Sequence, residues 1–236
     1  LRNFFSISPT FFNKNYLEKN ISISDGFFWR VDDNFSTIFK FTNLIKFYFS
    51  KESNVEIFFF DNNHNFINQI VLNTQGYSEE YIITKKIVKN FKHGVFYIFH
   101  RSKNEIGSIL RNSCYVGYSY KNSLYSYVHG NTPSAKKDIS NNLSKLNYDL
   151  SGSSIFKKKY VIQKKFNNNK TEAMILNSTP INQRITINEE KIFLKKGHSY
   201  IHQIKDKELL EINSKCYLLR PIIFEYEKDF LNVYHG

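Results

Sequence analysis

Short apolar runs separated by turn signals extend along almost the whole chain, and this pattern constrains the fold more than any other feature. The runs are rich in aromatic and β-branched residues, as at 55–60 and 95–100. Between them lie clusters of Asn, Asp, Ser, Lys and Gly, such as residues 61–65, which favour turns. Many short strands at this spacing are typical of an all-β sandwich or barrel.

The predicted strands fall into two groups of similar make-up. In the first half of the chain we expect strands at 44–49, 55–60, 66–72, 81–88, 95–100, 114–120 and 124–129. In the second half we expect them at 159–166, 172–177, 184–187, 191–194, 200–204, 208–212, 216–219 and 222–226. In the last of these, Ile222, Phe224 and Tyr226 alternate with Ile223 and Glu225, which predicts a strand with one buried face.

Both halves of the chain also end on the same residue pattern. The chain has only 2 cysteines, and each is followed by Tyr and later by His-Gly: Cys114 precedes His129, and Cys216 precedes His235. A repeat this long indicates two copies of one structural unit. We therefore predict two tandem antiparallel β-sandwich units, jelly-roll or immunoglobulin-like, from an internal duplication. Cys114 should correspond to Cys216, and His129 to His235.

This interpretation divides the chain into four segments. Residues 1–34 contain many aromatic side chains and should pack onto the first unit as extra strands. Residues 35–130 and 155–236 form the two units. Residues 131–154 are rich in Asn, Ser, Lys and Asp and should form a linker with one helical turn near 139–146.

The formal net charge of +12 raises the question of nucleic-acid binding. Abundant Lys, Asn, Ile, Phe and Tyr beside scarce Ala and Arg is, however, what an AT-rich coding sequence produces in any protein. The lysines are also scattered between the apolar runs, where they protect strand edges. We therefore keep nucleic acid as a partner that the charge permits and rank it below other ligands. No apolar run is long enough for a transmembrane helix.

Motifs for cofactors and catalysis are absent from the sequence. It contains no glycine-rich phosphate loop, no nucleophile elbow and no paired-cysteine zinc spacing. His198 and His202 are four residues apart, but on a strand that spacing is roughly 13 Å and too long for one metal ion. We expect no cofactor, no metal, and two free, buried cysteines. The sequence does not decide whether the protein is an enzyme, and the missing motifs favour a non-enzymatic role.

Five residues are the candidate binding groups. The repeat singles out His129 and His235, with Tyr127 and Tyr234 beside them in sequence, and Trp29 is the only tryptophan. Imidazole donates and accepts hydrogen bonds, and aromatic faces stack on sugar rings, so these types suit a glycan. The structural alternative is that each histidine closes the end of a strand by bonding backbone within its own unit, and that Trp29 is a core residue.

These observations favour a non-enzymatic binding or structural protein that engages a carbohydrate or a protein surface. The first alternative is an RNA- or ribosome-associated basic protein, which should carry a continuous Lys/Arg face and bind less tightly as salt rises. The second alternative is an enzyme on a β scaffold with histidine ligands, which should bring at least three polar residues together in one pocket.

Overall fold

The computed structural model of the chain describes residues 21–32, 34–102, 109–112, 114–130, 132–138, 146, 153–162, 170–204, 209–216, 219–228 and 230–236. About 65% of these residues lie in strands, and one short helix, α1 (Leu44–Phe49), is present among them. The all-β prediction is confirmed. Within the described ranges, no helix has the length and apolarity that crossing a membrane requires.

The strands are numbered β1 to β19 in chain order. The first part of the chain contributes β1 (Ile21–Asp25), β2 (Phe27–Arg30), β3 (Phe35–Thr42), β4 (Asn54–Asp61), β5 (Phe66–Asn73), β6 (Ser78–Ile83), β7 (His93–Arg101), β8 (Ile109–Asn112), β9 (Cys114–Tyr120), β10 (Ser126–His129) and β11 (Pro133–Asp138). The second part contributes β12 (Ser153–Ile162), β13 (Thr171–Leu176), β14 (Gln183–Ile187), β15 (Glu190–Leu194), β16 (Ser199–Ile204), β17 (Leu210–Cys216), β18 (Ile222–Tyr226) and β19 (Leu231–His235).

The strands pair into four antiparallel four-stranded sheets and one three-stranded sheet. We name them sheet I (β2-β7-β4-β5), sheet II (β10-β9-β3-β6), sheet III (β12-β17-β14-β15), sheet IV (β16-β13-β18-β19) and sheet V (β11-β1-β8). Sheet V contains a parallel pair, β1 with β8. The four larger sheets have a propeller-like arrangement and do not separate clearly into two sandwiches.

The order of strands is the same in the two halves. Sheet V is left out, and the remaining strands of each half are numbered from one to eight in chain order. Sheets I and III then both read 1-6-3-4. Sheet II, and sheet IV when it is read from β19, both read 8-7-2-5. In this correspondence β3 matches β13, β6 matches β16, β7 matches β17, β9 matches β18, and β10 matches β19. The polypeptide therefore follows one path twice.

Two buried asparagines occupy matching places on this path. Asn43 directly follows β3 and donates its backbone N–H to the carbonyl oxygen of Tyr77 at 2.8 Å, just before β6 begins. Asn177 directly follows β13 and donates to the carbonyl oxygen of His198 at 3.0 Å, just before β16 begins. The two acceptors lie in the similar triplets Gly76-Tyr77-Ser78 and Gly197-His198-Ser199, so this match extends to individual residues.

The cysteine match, in contrast, is wrong. Cys114 begins β9, whereas Cys216 ends β17, and these strands do not correspond. The histidine match agrees with the topology, because His129 and His235 each end the last strand of their half. Both cysteines are buried and free, as expected. They are therefore separate apolar fillers that happen to share a neighbouring tyrosine.

Sheet IV is covered on both faces. Phe224 lies with its ring centroid 5.0 Å from that of Tyr118 and belongs to the large core formed mainly by the first half. Ile223, on the opposite face, belongs to a smaller core together with Ile185 and Ile212 of sheet III. The prediction of a single buried face at 222–226 is therefore wrong, since the first half covers the side that one isolated unit would leave in water.

Part of the expected linker is a strand. Pro133–Asp138 forms β11 and pairs antiparallel with β1, where Ala135 lies opposite Ser24. The polar composition of this segment hid its role, because β11 buries Ala135 and Ser134 and not large apolar side chains. The expected helical turn at 139–146 lies outside the described residues except for Leu146. The limits of the four predicted segments stay a prediction.

Candidate ligand-binding cleft

The helix α1 carries exposed aromatic side chains on the surface of the first half. The sequence predicted a strand at 44–49, but Asn43 caps a helix there, and its side-chain oxygen accepts the backbone N–H of Lys46 at 3.1 Å. An apolar run of this length fits either element, and the asparagine decides in favour of the helix. The helix turns Ile45 into the core and leaves Phe47 and Tyr48 facing outward.

The side chain of Asn43 holds three segments together. Besides capping α1, its Oδ1 accepts a hydrogen bond from Ser53 Oγ at 2.6 Å. Its Nδ2 donates to Thr74 Oγ1, also at 2.6 Å. The Thr74 hydroxyl then donates to the carbonyl oxygen of Ser53 at 2.8 Å. Because Asn43 is fully buried, these bonds fix α1, the loop before β4 and the turn after β5 in one arrangement.

Those three segments and the end of β7 enclose a cleft of about 970 Å³. The described residues that line it all have polar or charged side chains. Amide groups come from Asn54 and Asn73, which lie opposite each other on β4 and β5, and from Gln75. Lys46, Lys51, Glu52 and Arg101 supply the charges.

Three exposed aromatic rings adjoin the cleft. Phe47, Tyr48 and Tyr77 are 58%, 67% and 60% exposed. The ring centroid of Phe47 lies 5.0 Å from that of Tyr48 and 6.4 Å from that of Tyr77, in edge-to-face contacts. Lys46 joins this aromatic cluster to the cleft, because its Nζ lies 5.1 Å from the Tyr77 ring centroid and donates to the carbonyl oxygen of Gln75. Three large rings left together in water indicate a surface that binds something.

The matching surface of the second half is closed by protein. There the ring of His64, in the turn between β4 and β5, lies directly against Gly197, so that a Cβ at Gly197 would come within 2.5 Å of it. Ser199 N–H also donates to the carbonyl oxygen of Asn62, in the same turn, at 2.9 Å. Burial, reinforced by the charge of His198, lowers the pKa of His64 to about 4, so this contact is made by a neutral imidazole.

The two repeated histidines meet each other. Nε2 of His235 donates to the backbone carbonyl oxygen of His129 at 2.9 Å, and the ring centroids are 4.7 Å apart. Burial, together with the charge of Arg220, lowers the pKa of His235 to about 4. The structural interpretation expected backbone bonds within each unit. His129 agrees with it, because its Nδ1 lies 3.4 Å from the carbonyl oxygen of Gly130. His235 does not, because it bonds the other half and so joins the ends of β10 and β19. Their role as ligand groups stays a prediction.

The other candidates are scattered. Trp29 is completely buried, and its Nε1 donates to the carbonyl oxygens of Phe60 at 3.2 Å and Val95 at 3.3 Å. It is a core anchor and presents no face for stacking. Tyr127 is partly exposed beneath Lys40, whose Nζ lies 5.1 Å from the ring centroid, and Tyr234 is half-buried. None of these residues lines the cleft at α1.

A second cavity of about 590 Å³ lies in the second half between β14, β15 and β17. Its walls carry Glu189, Glu190, Glu211 and His202. Glu211 is paired with Lys159 at 2.6 Å. Across the described part of the chain, no group of three or more His, Cys, Asp or Glu side chains is placed to hold a metal ion.

Buried ion pairs tie the halves together away from both cavities. Arg30 donates through Nη1 to Glu172 at 2.6 Å and to the Tyr226 hydroxyl at 3.0 Å, and through Nε to Asp32 at 2.8 Å. Its guanidinium also lies 3.9 Å from the ring centroid of Phe35. Although burial alone would raise the pKa of Glu172, the Arg30 guanidinium and its neighbours bring that pKa below its usual value.

Sequence reasoning missed the residues of the cleft. The residues Lys-Glu-Ser-Asn at 51–54 indicate a turn but no ligand, and the aromatic residues of α1 belong to the strand predicted at 44–49. A usable signal was the Asn that precedes the run Leu-Ile-Lys-Phe-Tyr-Phe, since Asn is a favoured helix N-cap. No protein-family model, no curated protein and no solved structure matches this chain.

Proposed function

We propose that this protein is a non-enzymatic carbohydrate-binding protein that holds its ligand in the cleft at α1. The observation that carries the proposal is Lys46, which lines a cleft with three amide side chains and whose Nζ lies 5.1 Å from the Tyr77 ring centroid. It links the cleft to the cluster of exposed rings formed by Phe47, Tyr48 and Tyr77. The apolar face of a sugar ring stacks on an aromatic side chain, while its hydroxyl groups need donors and acceptors at the edge. Asn54, Asn73 and Gln75 are side chains of this kind.

The buried asparagine under the cleft also supports a binding role. A site that is already rigid loses less conformational entropy when a ligand arrives. Asn43 fixes α1 and both flanking loops through bonds to Lys46, Ser53 and Thr74. The cleft therefore has the pre-organisation that a binding protein requires.

The lining of the cleft disfavours catalysis. Glycoside hydrolysis commonly uses a pair of carboxylates, and general acid–base catalysis most often uses histidine. Among the described residues that line the cleft, Glu52 is the only carboxylate, and none is a histidine or a cysteine. A cleft of this make-up can orient hydroxyl groups without breaking bonds.

The test is titration calorimetry of the full chain against a panel of neutral and acidic oligosaccharides. Replacing Tyr48 with Ala should weaken the binding of any ligand found by about tenfold, because an aromatic stacking contact contributes about 0.5–1.5 kcal/mol beyond the area it buries. Phe193→Ala is the matched control, since Phe193 is a similarly exposed ring on β15, far from the cleft in sequence and fold.

The Phe193→Ala variant should bind as the unchanged chain does. The proposal is wrong if no oligosaccharide in the panel binds, or if Tyr48→Ala and Phe193→Ala affect binding equally. An oligonucleotide that binds in place of the sugars, with affinity that falls steeply with salt, would favour the nucleic-acid alternative.

A protein segment is the second candidate ligand. The observation that favours it is the matching surface of the second half, where the turn that carries His64 lies against Gly197 and Ser199. A synthetic peptide of residues 58–68 supplies that turn as a soluble probe. Binding of this peptide that is lost in Tyr48→Ala, combined with a negative oligosaccharide panel, would favour the protein ligand over the sugar.

We also infer that the chain consists of two β-sandwich units that arose by internal duplication. The inference is supported by the identical strand order of the two halves and by the matching bonds of Asn43 and Asn177. In this view the first unit begins at β2 and the second at β12. The helix α1 then lies where the second unit has the loop 177–182, so the cleft is a feature that only one copy acquired.

A further inference from the structure

We propose that the ligand of the cleft is an anionic carbohydrate, such as a uronic-acid or sulfated oligosaccharide, and that Arg101 binds its acidic group. This inference rests on the proposed carbohydrate-binding function and specifies its ligand class.

The charge of Arg101 is not cancelled by its own ion pair. Nη1 of Arg101 donates to Glu56 at 3.0 Å, but Glu56 also accepts a hydrogen bond from Nζ of Lys137. The side chains of Lys137 and Glu56 are only 5% and 4% exposed. A buried ammonium group needs a counter-charge, because an unpaired buried ion is very costly. Glu56 therefore compensates Lys137, and this group of three side chains keeps one positive charge.

That remaining charge faces the cleft. The Arg101 side chain is 30% exposed and lines the cleft, whereas Glu56 and Lys137 lie behind it. Only Nη1 of its guanidinium takes part in an ion pair within the described residues. A guanidinium has five N–H donors in a planar fork that matches the two oxygens of a carboxylate or a sulfate. Arg101 is thus held in place by one edge and offers donors to a ligand.

The other charges around the cleft act in the same direction. Lys46 donates to the carbonyl oxygen of Gln75, which carries no net charge and leaves the ammonium positive. Glu52 is the only carboxylate among the described lining residues. Arg101 and Lys46 against Glu52 give the described part of this concave surface an excess of positive charge, which attracts anions.

The surroundings favour an acidic sugar over a nucleic acid. Binding of a single strand requires a positive groove that follows the backbone over several nucleotides. The described cations of this cleft lie at one concave site, and a second cavity, in the other half of the chain, is lined by Glu189, Glu190 and Glu211. The amide-rich wall formed by Asn54 and Asn73 suits hydroxyl groups, which line a sugar on every side.

The experiment measures binding of two oligosaccharides of equal length, a tetragalacturonate and a neutral maltotetraose, to the full chain at low and high salt. We expect the acidic ligand to bind more tightly, with affinity that decreases as salt rises. Arg101→Gln should weaken tetragalacturonate binding by about 10- to 100-fold, as expected for a lost hydrogen-bonded charge, and should leave maltotetraose binding nearly unchanged. Arg101→Lys keeps the positive charge but lacks the planar guanidinium, so its affinity for tetragalacturonate should lie between those of the unchanged chain and Arg101→Gln.

Lys191→Gln is the control for net charge, because Lys191 is an exposed lysine on β15. It should bind both ligands as the unchanged chain does. If Arg101→Gln does not fold, Lys46→Gln makes the same measurement with a smaller expected loss, because Lys46 also lines the cleft. Tighter binding of maltotetraose, or equal losses in Arg101→Gln and Lys191→Gln, would overturn this inference and leave the proposed function intact. Absence of binding by every sugar would overturn the proposed function itself, and preference for an oligouridylate of similar charge would point to RNA.

Discussion

Replacing Asn43 tests whether one buried side chain holds the cleft in shape. Asn43→Ala removes the helix cap of α1, the bond from Ser53 Oγ and the bond to Thr74 Oγ1. A lost cap costs about 1 kcal/mol. Each lost buried hydrogen bond costs about 1 kcal/mol more. The free energy of unfolding should therefore fall by about 3 kcal/mol.

A second substitution separates capping from bridging. Asn43→Ser keeps a good cap, but its short side chain cannot also reach Ser53 and Thr74. We expect it to recover about 1 kcal/mol of the loss in Asn43→Ala. Urea unfolding followed by the fluorescence of the buried Trp29 measures both values, and oligosaccharide titration measures the effect on the cleft.

The reasoning fails if Asn43→Ala lowers the free energy of unfolding by less than about 0.5 kcal/mol, the range of ordinary surface substitutions. It also fails if Asn43→Ala and Asn43→Ser lose equal stability, since the cap would then contribute nothing. Retained binding in a destabilised Asn43→Ala chain would show that the loops keep their arrangement without the asparagine.

Three further predictions concern groups buried in or between the halves. Burial lowers the pKa of His100 to about 4, whereas the same imidazole in the unfolded chain binds its proton near pH 6.5. The contribution of this neutral imidazole to the free energy of unfolding should therefore be complete above pH 6.5 and decrease by about 3 kcal/mol as pH falls to 4. Urea unfolding at pH 7 and 4.5 should show this loss reduced in His100→Leu. Arg30→Met leaves the Glu172 carboxylate buried beside fewer donors and should lower the free energy of unfolding by about 3–5 kcal/mol at pH 7. A decrease of less than about 1 kcal/mol would show that this ion pair contributes no more than an exposed one. His235→Ala leaves the backbone carbonyl of His129 without its donor and should lower stability by about 1–3 kcal/mol with no change in sugar binding, and weaker binding at unchanged stability would contradict the structural role.

Periodicity in the sequence predicted the strands well and their surroundings poorly. The run 114–120 became β9 with the same limits, and 222–226 became β18. Whether one or both faces of β18 are buried depends on what packs against sheet IV, and no pattern within five residues contains that information. Ile223 and Phe224 look alike in sequence, yet they belong to different cores.

The repeat was detected through an unreliable feature. The cysteines attract attention because they are rare, but Cys114 and Cys216 lie on strands that do not correspond. The informative residues were Asn43 and Asn177, which are hard to notice in so asparagine-rich a chain. Their importance comes from burial and from the bonds to Tyr77 and His198, both of which depend on the tertiary structure.

The candidate cleft was out of reach for the same reason. Its lining comes from residues 46, 50–54, 73–75 and 101, which only the tertiary fold brings together. The charge of Arg101 depends on how Glu56 is shared with Lys137, a residue expected to lie in a linker. Composition showed that the protein is basic, and only the fold shows where one of those charges remains uncompensated.

The pairing of β1 with β11 has a consequence for the order in which this protein folds. Ile21 lies opposite Asp138, so β1 emerges from the ribosome long before its antiparallel partner exists. Pairings between such distant residues form slowly, and a strand with an open edge can associate with other chains until that edge is covered. A fragment that stops at residue 130 would keep that edge open and would also lose Lys137, leaving the Glu56 carboxylate buried without its ammonium partner. The first half can therefore complete its fold only after the segment between the two halves, with β11 and Lys137, has been synthesised.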